Sequence, residues 1–422
     1  MPLPLAALLA LAQQPTTATT AELTQPEVER MAEEIRAQIE ELRGQKFAAP
    51  VPVSLADKPA FLAYAAERER AFSTPAQLRT TQLALELLGA LDPGVDLAAV
   101  ELELMQKQVS GFYAPERDRF YLMSSAPRAI ARTILSHELT HALDDQLYDI
   151  DALLQRADGG DARAAAHAVI EGSANALMQQ WQTREEAAGR LKREDLAAAQ
   201  SMDGLDRAPE AVWKPLLHSY AQGQAFLAQP SAARASAVGL VTAADIERAF
   251  RAPPRSTEQV LHPEKYWSDA RRDEPRRVRF AFGALPEGWT QTGEDTLGEL
   301  GLAIAAVPRA SRQRLSVALL AQPRFTNAAA EGWDGDRVAV FERAGGSALV
   351  LHTVWDSAAD AQQFADAVAA LRDASIERSV ERVGELELQV WAWRAADPAP
   401  LRAVVSARVE ADPLAPSKER AR

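Results

Sequence analysis

The residues best able to do chemistry are His137-Glu138-Leu139-Thr140-His141, an H-E-x-x-H pattern inside ILSHELTHALDDQ at Ile134 to Gln146. On a helix, side chains four apart share a face, so His137 and His141 can present imidazole nitrogens to one cation. Glu138 sits about a quarter-turn away, where it can hold a water beside that cation without ligating it. Two nitrogen ligands, an adjacent carboxylate base and an open coordination position are the needs of a hydrolytic zinc site. With only six histidines in 422 residues, composition alone would produce this pattern in about one such chain in a hundred. Leu135, Leu139, Ala142 and Leu143 give the helix apolar spacing. A core-packed face carrying two histidines and an acid is costly unless something satisfies them.

A catalytic zinc usually has a third protein ligand. The chain has no cysteine, which removes thiolate ligands, disulfides and cysteine catalysis together and leaves His, Asp and Glu. Downstream, Glu185, Glu186 and Glu194 lie in a charged run that reads as solvated. Glu171 instead interrupts an apolar and small-residue helix, between Ala168-Val169-Ile170 and Gly172 to Leu177. A lone carboxylate there loses hydration unless it is paired or bound to metal. Gly172 and Ala174 leave room for a neighbouring helix, and Asn175 is placed to orient a ligand imidazole. His167, one turn before Glu171, is the competing ligand. A third histidine close behind the pair, as in H-E-x-x-H-x-x-G-x-x-H, fails at the residues, because Asp144 and Leu147 stand in the last two places.

His-Glu-Leu-Thr-His-Ala at His137 to Ala142, a glutamate on a following helix and Asn175 four residues beyond it resemble the gluzincin superfamily of zinc metallopeptidases. The departure is the 29 residues between His141 and Glu171, longer than in the family's best-known member. A wider pattern resembles a little-characterised group of bacterial metallopeptidases: Gly111-Phe112-Tyr113, His137 to Gln146, Glu171-Gly172-x-Ala174, Tyr220-x-x-Gly223-x-x-Phe226 and Ser256 to Pro263. That likeness spans Val109 to Tyr266, with weaker echoes at Gly332 to Arg337 and Trp355-Asp356. It implies a zinc peptidase, an endopeptidase acting on a peptide or protein substrate, with one Zn2+ held by His137, His141 and Glu171. Glu138 would be general base and then acid. The oxyanion donor would be a tyrosine or histidine, with Tyr220 and His262 as candidates. Each also has an ordinary reading, Tyr220 as a helix-packing aromatic and His262 as a loop histidine. The rival function is a zinc-containing binding or cell-envelope protein that keeps the fold without cleaving. Zinc hydrolysis of a non-peptide bond is a third.

The elements that must position these residues predict an α+β protein. It comprises a mainly helical, zincin-like catalytic domain with a small sheet or hairpin over 22–272 and a smaller α+β domain over 273–411. Residues 1–21 read as a signal or disordered N-terminus and 412–422 as a charged tail. Helices are expected at Thr24 to Arg43, Ala56 to Arg70, Pro75 to Leu91 and Leu97 to Met105, packed against the site. Val109 to Met123 reads as a hairpin turning at Pro115 to Asp118. Its Phe112-Tyr113 or Phe120-Tyr121 would form the edge that receives extended substrate. Leu216 to Ala228 reads as a helix and Lys265 to Arg277 as a charged boundary. Strands follow at Val278 to Phe282, Val338 to Phe341, Ala348 to Val354, Glu387 to Trp393 and Leu401 to Val409, with a helix at Ala358 to Arg372.

Hydrophobic content of 47% with 25% charged residues describes a globular chain. A net charge of -13 argues against nucleic acid as partner, since phosphate binding needs a basic face. No apolar stretch is long enough for a transmembrane segment. Leu3 to Ala12, ending in Ala10-Leu11-Ala12 before a Thr-rich stretch, resembles the end of a secretory signal, although no Lys or Arg precedes it. The expectation is export to the periplasm, envelope or exterior. Cytoplasmic placement follows if the run is not a signal.

Overall fold

The computed structural model describes residues 7–9, 23–192, 194, 203–233 and 240–410. The expected cleavage site at Ala10 to Ala12 and the tail from 412 lie outside the described residues. The architecture is α+β.

The first helix, α1 (Gln25–Arg43), begins at a capping box of Thr24 and Glu27 and ends where Gly44 takes a positive φ of 67°. Val28, Ala32, Ile35 and Ile39 bury one face of it. Four strands form the first sheet: β1 (Ala7–Leu9), β2 (Val53–Ala56), β3 (Val109–Ala114) and β4 (Arg119–Met123), in the order β1-β3-β4-β2. The expected hairpin is β3–β4, with Phe112 opposite Tyr121 and a 3-10 turn at Pro115–Arg117. Between β2 and β3 lie α2 (Lys58–Phe72), α3 (Pro75–Leu88) and α4 (Leu97–Gln108). Beyond the hairpin come α5 (Ala131–Tyr148), α6 (Ile150–Arg156) and the long α7 (Gly160–Ala187).

The expected helix at Leu216 to Ala228 is broken in three. Glu210–Leu217 and Gly223–Ala233 are α-helical, and His218–Gln222 between them is a π-helical turn. Pro215 precedes the break; it cannot donate to the ladder, and π-bulges relieve such interruptions.

The second sheet is antiparallel, in the order β6-β7-β8-β10-β9, from β6 (Thr290–Asp295), β7 (Trp333–Arg343), β8 (Gly346–Trp355), β9 (Glu377–Arg382) and β10 (Glu387–Arg394). A separate ribbon pairs β5 (Arg277–Phe282) with β11 (Val405–Glu410). Strands β6 and β9 escape the sequence pattern because TQTGED and ERSVER are polar edges with no fully buried residue.

One expected placement is corrected. Rather than serving the site, α3 sends Leu83, Ala84, Leu87 and Leu88 into the core of the second sheet, with Val338, Val340, Leu349 and Leu351. Its helical period fixes a buried face but cannot say which sheet that face meets. Among the described residues no helix is long and apolar enough to cross a membrane.

Candidate metal centre and active site

Every residue of α5 from Thr133 to Asp144 is buried. The hairpin lies directly against it: a side chain at Gly111 would meet Ile134 at 2.8 Å and Phe120 at 3.0 Å. The helix therefore holds its polar groups in a dry interior, where each needs a partner. Ser136 and Thr140 satisfy their hydroxyls on the backbone, donating to the carbonyls of Thr133 and Ser136.

His137, His141 and Glu171 converge from α5 and α7. The His137 and His141 Nε2 atoms are 3.0 Å apart, and each lies 3.3–3.4 Å from Glu171 Oε2. Tetrahedral zinc with ligands about 2.0–2.1 Å away sets its ligand atoms about 3.3 Å from one another. The three side chains thus already have the spacing and the N, N, O donor set of a zinc site. Among the described residues they form a potential metal-binding group.

The electrostatics agree. Burial lowers the His137 pKa to about 4, favouring the neutral ring that a metal requires. Burial alone would raise the Glu171 carboxyl, but the neighbouring His141 and His137 outweigh it and keep the group well below its usual range, as a carboxylate. Burial likewise disfavours a charged His141, yet the Glu171 and Glu138 carboxylates hold its pKa above the ordinary value. A proton there compensates Glu171 as a bound cation would.

Glu138 is fully buried, and its Oε2 accepts the Tyr113 backbone N–H at 2.8 Å. That bond ties the carboxylate to β3. Both expected substrate edges are paired in the sheet. Strand β4 lies between β3 and β2, so Phe120-Tyr121 has no free edge to offer. The outer edge of β3 carries β1, with Ala7 opposite Phe112 and Leu9 opposite Val109.

Tyr220, half-buried on the π turn, lies nearly parallel to the His137 ring, with centroids 6.0 Å apart at 25°. Two glycines put it there. A Cβ at Gly172 would lie 2.4 Å from the Gly223 carbonyl carbon, and one at Gly223 only 2.0 Å from the Ala168 oxygen. The backbones of α7 and the Tyr220 segment therefore touch.

Residues 285–412 match a family. It is described as Domain of unknown function (DUF8575). The match covers the second sheet and leaves out His137, Glu138, His141 and Glu171. No curated protein and no solved structure matches the chain.

Other expected residues fall elsewhere. His262 Nε2 lies 3.0 Å from Glu299 Oε1, a hydrogen bond that raises its pKa, and it is not part of the triad. His167 is buried beside Glu171 on α7 without joining the triad, and its Nε2 has no hydrogen-bond partner among the described residues. Asn175 donates to the Tyr220 carbonyl at 3.4 Å rather than to an imidazole. The Nδ1 atoms of His137 and His141 lack a partner among the described residues. Glu185 is not solvated: it is buried and paired with Arg190 at 2.6 Å.

The sequence reading missed the brace behind the triad. Asp144 is fully buried and accepts from Arg43 Nε and Nη2 at 3.3 and 3.2 Å. Its other oxygen takes the Ser173 hydroxyl at 2.5 Å. Ser173 lies two residues beyond Glu171 and Asp144 three beyond His141, so this bond joins α5 to α7 beside the triad. The available signal was an aspartate on the apolar face of α5, where charge needs a partner.

Proposed function

We propose that this chain is a zinc-dependent peptidase, with His137, His141 and Glu171 as metal ligands and Glu138 as general base. The observation that carries the reading is the buried triangle of His137 Nε2, His141 Nε2 and Glu171 Oε2, with edges of 3.0–3.4 Å. When bound, zinc would polarise a scissile carbonyl and acidify a water. Glu138, fixed by the Tyr113 amide, takes the proton of the attacking water and passes it to the leaving amine. Tyr220, whose ring lies alongside that of His137, is the candidate hydroxyl donor on which an oxyanion could draw. His262 is less suited, since it is engaged with Glu299. The Leu3 to Ala12 run supports export.

A second reading is favoured by the enclosure of the site. His137, Glu138 and His141 are fully buried, and β1 covers the edge of β3. A zinc protein that binds without cleaving would have such a closed centre.

Elemental analysis of dialysed protein tests the metal: close to one zinc per chain is expected, with marked loss in Glu171→Ala. Glu138→Gln should keep the zinc and lose turnover on a peptide library. Full zinc in Glu171→Ala would move the third ligand, with His167 next in line. Zinc-loaded wild type without cleavage would favour the binding protein, and wild type that takes up no zinc would end both readings.

A further inference from the structure

A cleft of about 480 Å3 opens between the two halves of the chain, near the linker that joins them. Its walls include Pro253, Pro254, Pro275 and Trp333, and six arginines: Arg156, Arg251, Arg255, Arg276, Arg277 and Arg337. In a chain of net charge -13, such a concentration of one sign requires an explanation.

Ion pairing across the junction is part of it. Arg251, Arg276 and Arg337 pair with Glu247, Asp334 and Glu294 at 2.8, 3.2 and 3.0 Å. Each of these contacts is made by Nε. Arg156 likewise spends its Nε on the Ala152 carbonyl and makes no ion pair among the described residues. A guanidinium has five N–H donors in a planar fork, so an Nε contact does not exhaust what these arginines can offer a further acceptor. Their partner acids do not line the cleft. Of the three lining acids, Asp158 pairs with Arg277 at 2.9 Å, while Asp161 and Asp336 are occupied with N–H and hydroxyl donors from Thr257, Leu297, Gly298 and Trp333. Burial also pushes the pKa values of Asp161 and Asp336 up to about 7 and about 6, weakening the negative charge they bring.

We infer that this cleft binds a small anion bearing several oxyanion groups, of the oligophosphate or polycarboxylate class. Terminal guanidinium N–H pairs match such oxygens two at a time. The bound anion bridges the end of α6, the linker and β7. Arg156 stands just before α7, and Glu171 lies about 15 Å along that helix from its first turn. The inference is independent of the peptidase reading and its test needs no turnover.

The test is calorimetric titration of the full chain with inorganic tripolyphosphate and, separately, citrate, at low salt and at 0.5 M NaCl. One saturable site per chain is expected, weakened at least tenfold by the added salt and by Arg156→Gln/Arg337→Gln. Arg30→Gln, outside the cleft, should bind as wild type does. Preference between the two anions then assigns phosphate or carboxylate chemistry. If the double variant does not fold, Arg156→Gln alone, at an exposed residue without an ion pair, should still lower affinity severalfold. Absence of saturable binding of both anions, or unchanged affinity in the folded Arg156 variants, overturns the inference.

Discussion

Replacing Asp144 with alanine tests whether the buried brace holds the two ligand helices together. The Arg43 and Asp144 side chains are 1% and 0% exposed. Without the carboxylate, Arg43 keeps the Ala243 carbonyl and the Tyr148 hydroxyl, each at 3.1 Å, and the Tyr148 ring, with no counter-ion among the described residues. Leaving a buried charge without its counter-ion costs about 3–5 kcal/mol. The Ser173 hydroxyl also loses its acceptor, worth about 1 kcal/mol. The expected total is about 4–6 kcal/mol, read as a lower midpoint in guanidinium denaturation. Because the brace spans α5 and α7 just behind the ligands, zinc affinity should also fall, roughly 10–100-fold as when supporting shells of metal sites are cut. Competition with a chromophoric chelator measures that second effect. Arg43→Met/Asp144→Leu should recover most of the stability, since an apolar pair leaves no uncompensated charge. A loss below about 1 kcal/mol in Asp144→Ala, or a double variant no more stable than the single one, would refute the reasoning.

Two more outcomes follow from the segment carrying Tyr220. His218 is buried, and burial lowers its pKa from 6.5 to about 3. Between those values the unfolded chain binds the proton and the folded chain does not, so stability falls as pH falls, by up to about 1.4 kcal/mol per unit. His218→Gln should flatten that part of the denaturation-versus-pH curve, and an unchanged slope would count against the burial argument. Gly223→Ala forces a methyl to 2.0 Å from the Ala168 oxygen, an overpacking cost of about 3 kcal/mol. Peptide turnover should drop with it as Tyr220 shifts, and a variant with wild-type melting and activity would show that the close approach is dispensable.

The convergence of His137, His141 and Glu171 was legible because its signals are local or chemically expensive. H-E-x-x-H declares its own geometry on a helix, and Glu171 stands out as a carboxylate with no hydrating neighbours in sequence. The hairpin and the central strands of the second sheet were legible through alternation and apolar runs. The polar edge strands β6 and β9 lack both. Partners were the harder part. Nothing local in Asp144 names Arg43, a hundred residues away, and nothing in His262 names Glu299. Tyr220 was read from a motif, but its position over His137 depends on Gly172 and Gly223 meeting across a helix interface. The π turn at His218–Gln222 follows Pro215, an interruption that single-helix periodicity does not register.

The placement of α3 bears on the order in which this chain can fold as it is made. Its leucines leave the ribosome early, yet the strands that cover them, β7 to β10, emerge roughly 250–300 residues later, about half a minute at typical synthesis rates. For that interval the Leu83, Leu87 and Leu88 face of the helix lacks the sheet that covers it. The part that carries His137, His141 and Glu171 therefore completes its packing only when the family-matched segment, residues 285–412, arrives. A chain cut at the linker would leave Leu83, Leu87 and Leu88 facing water.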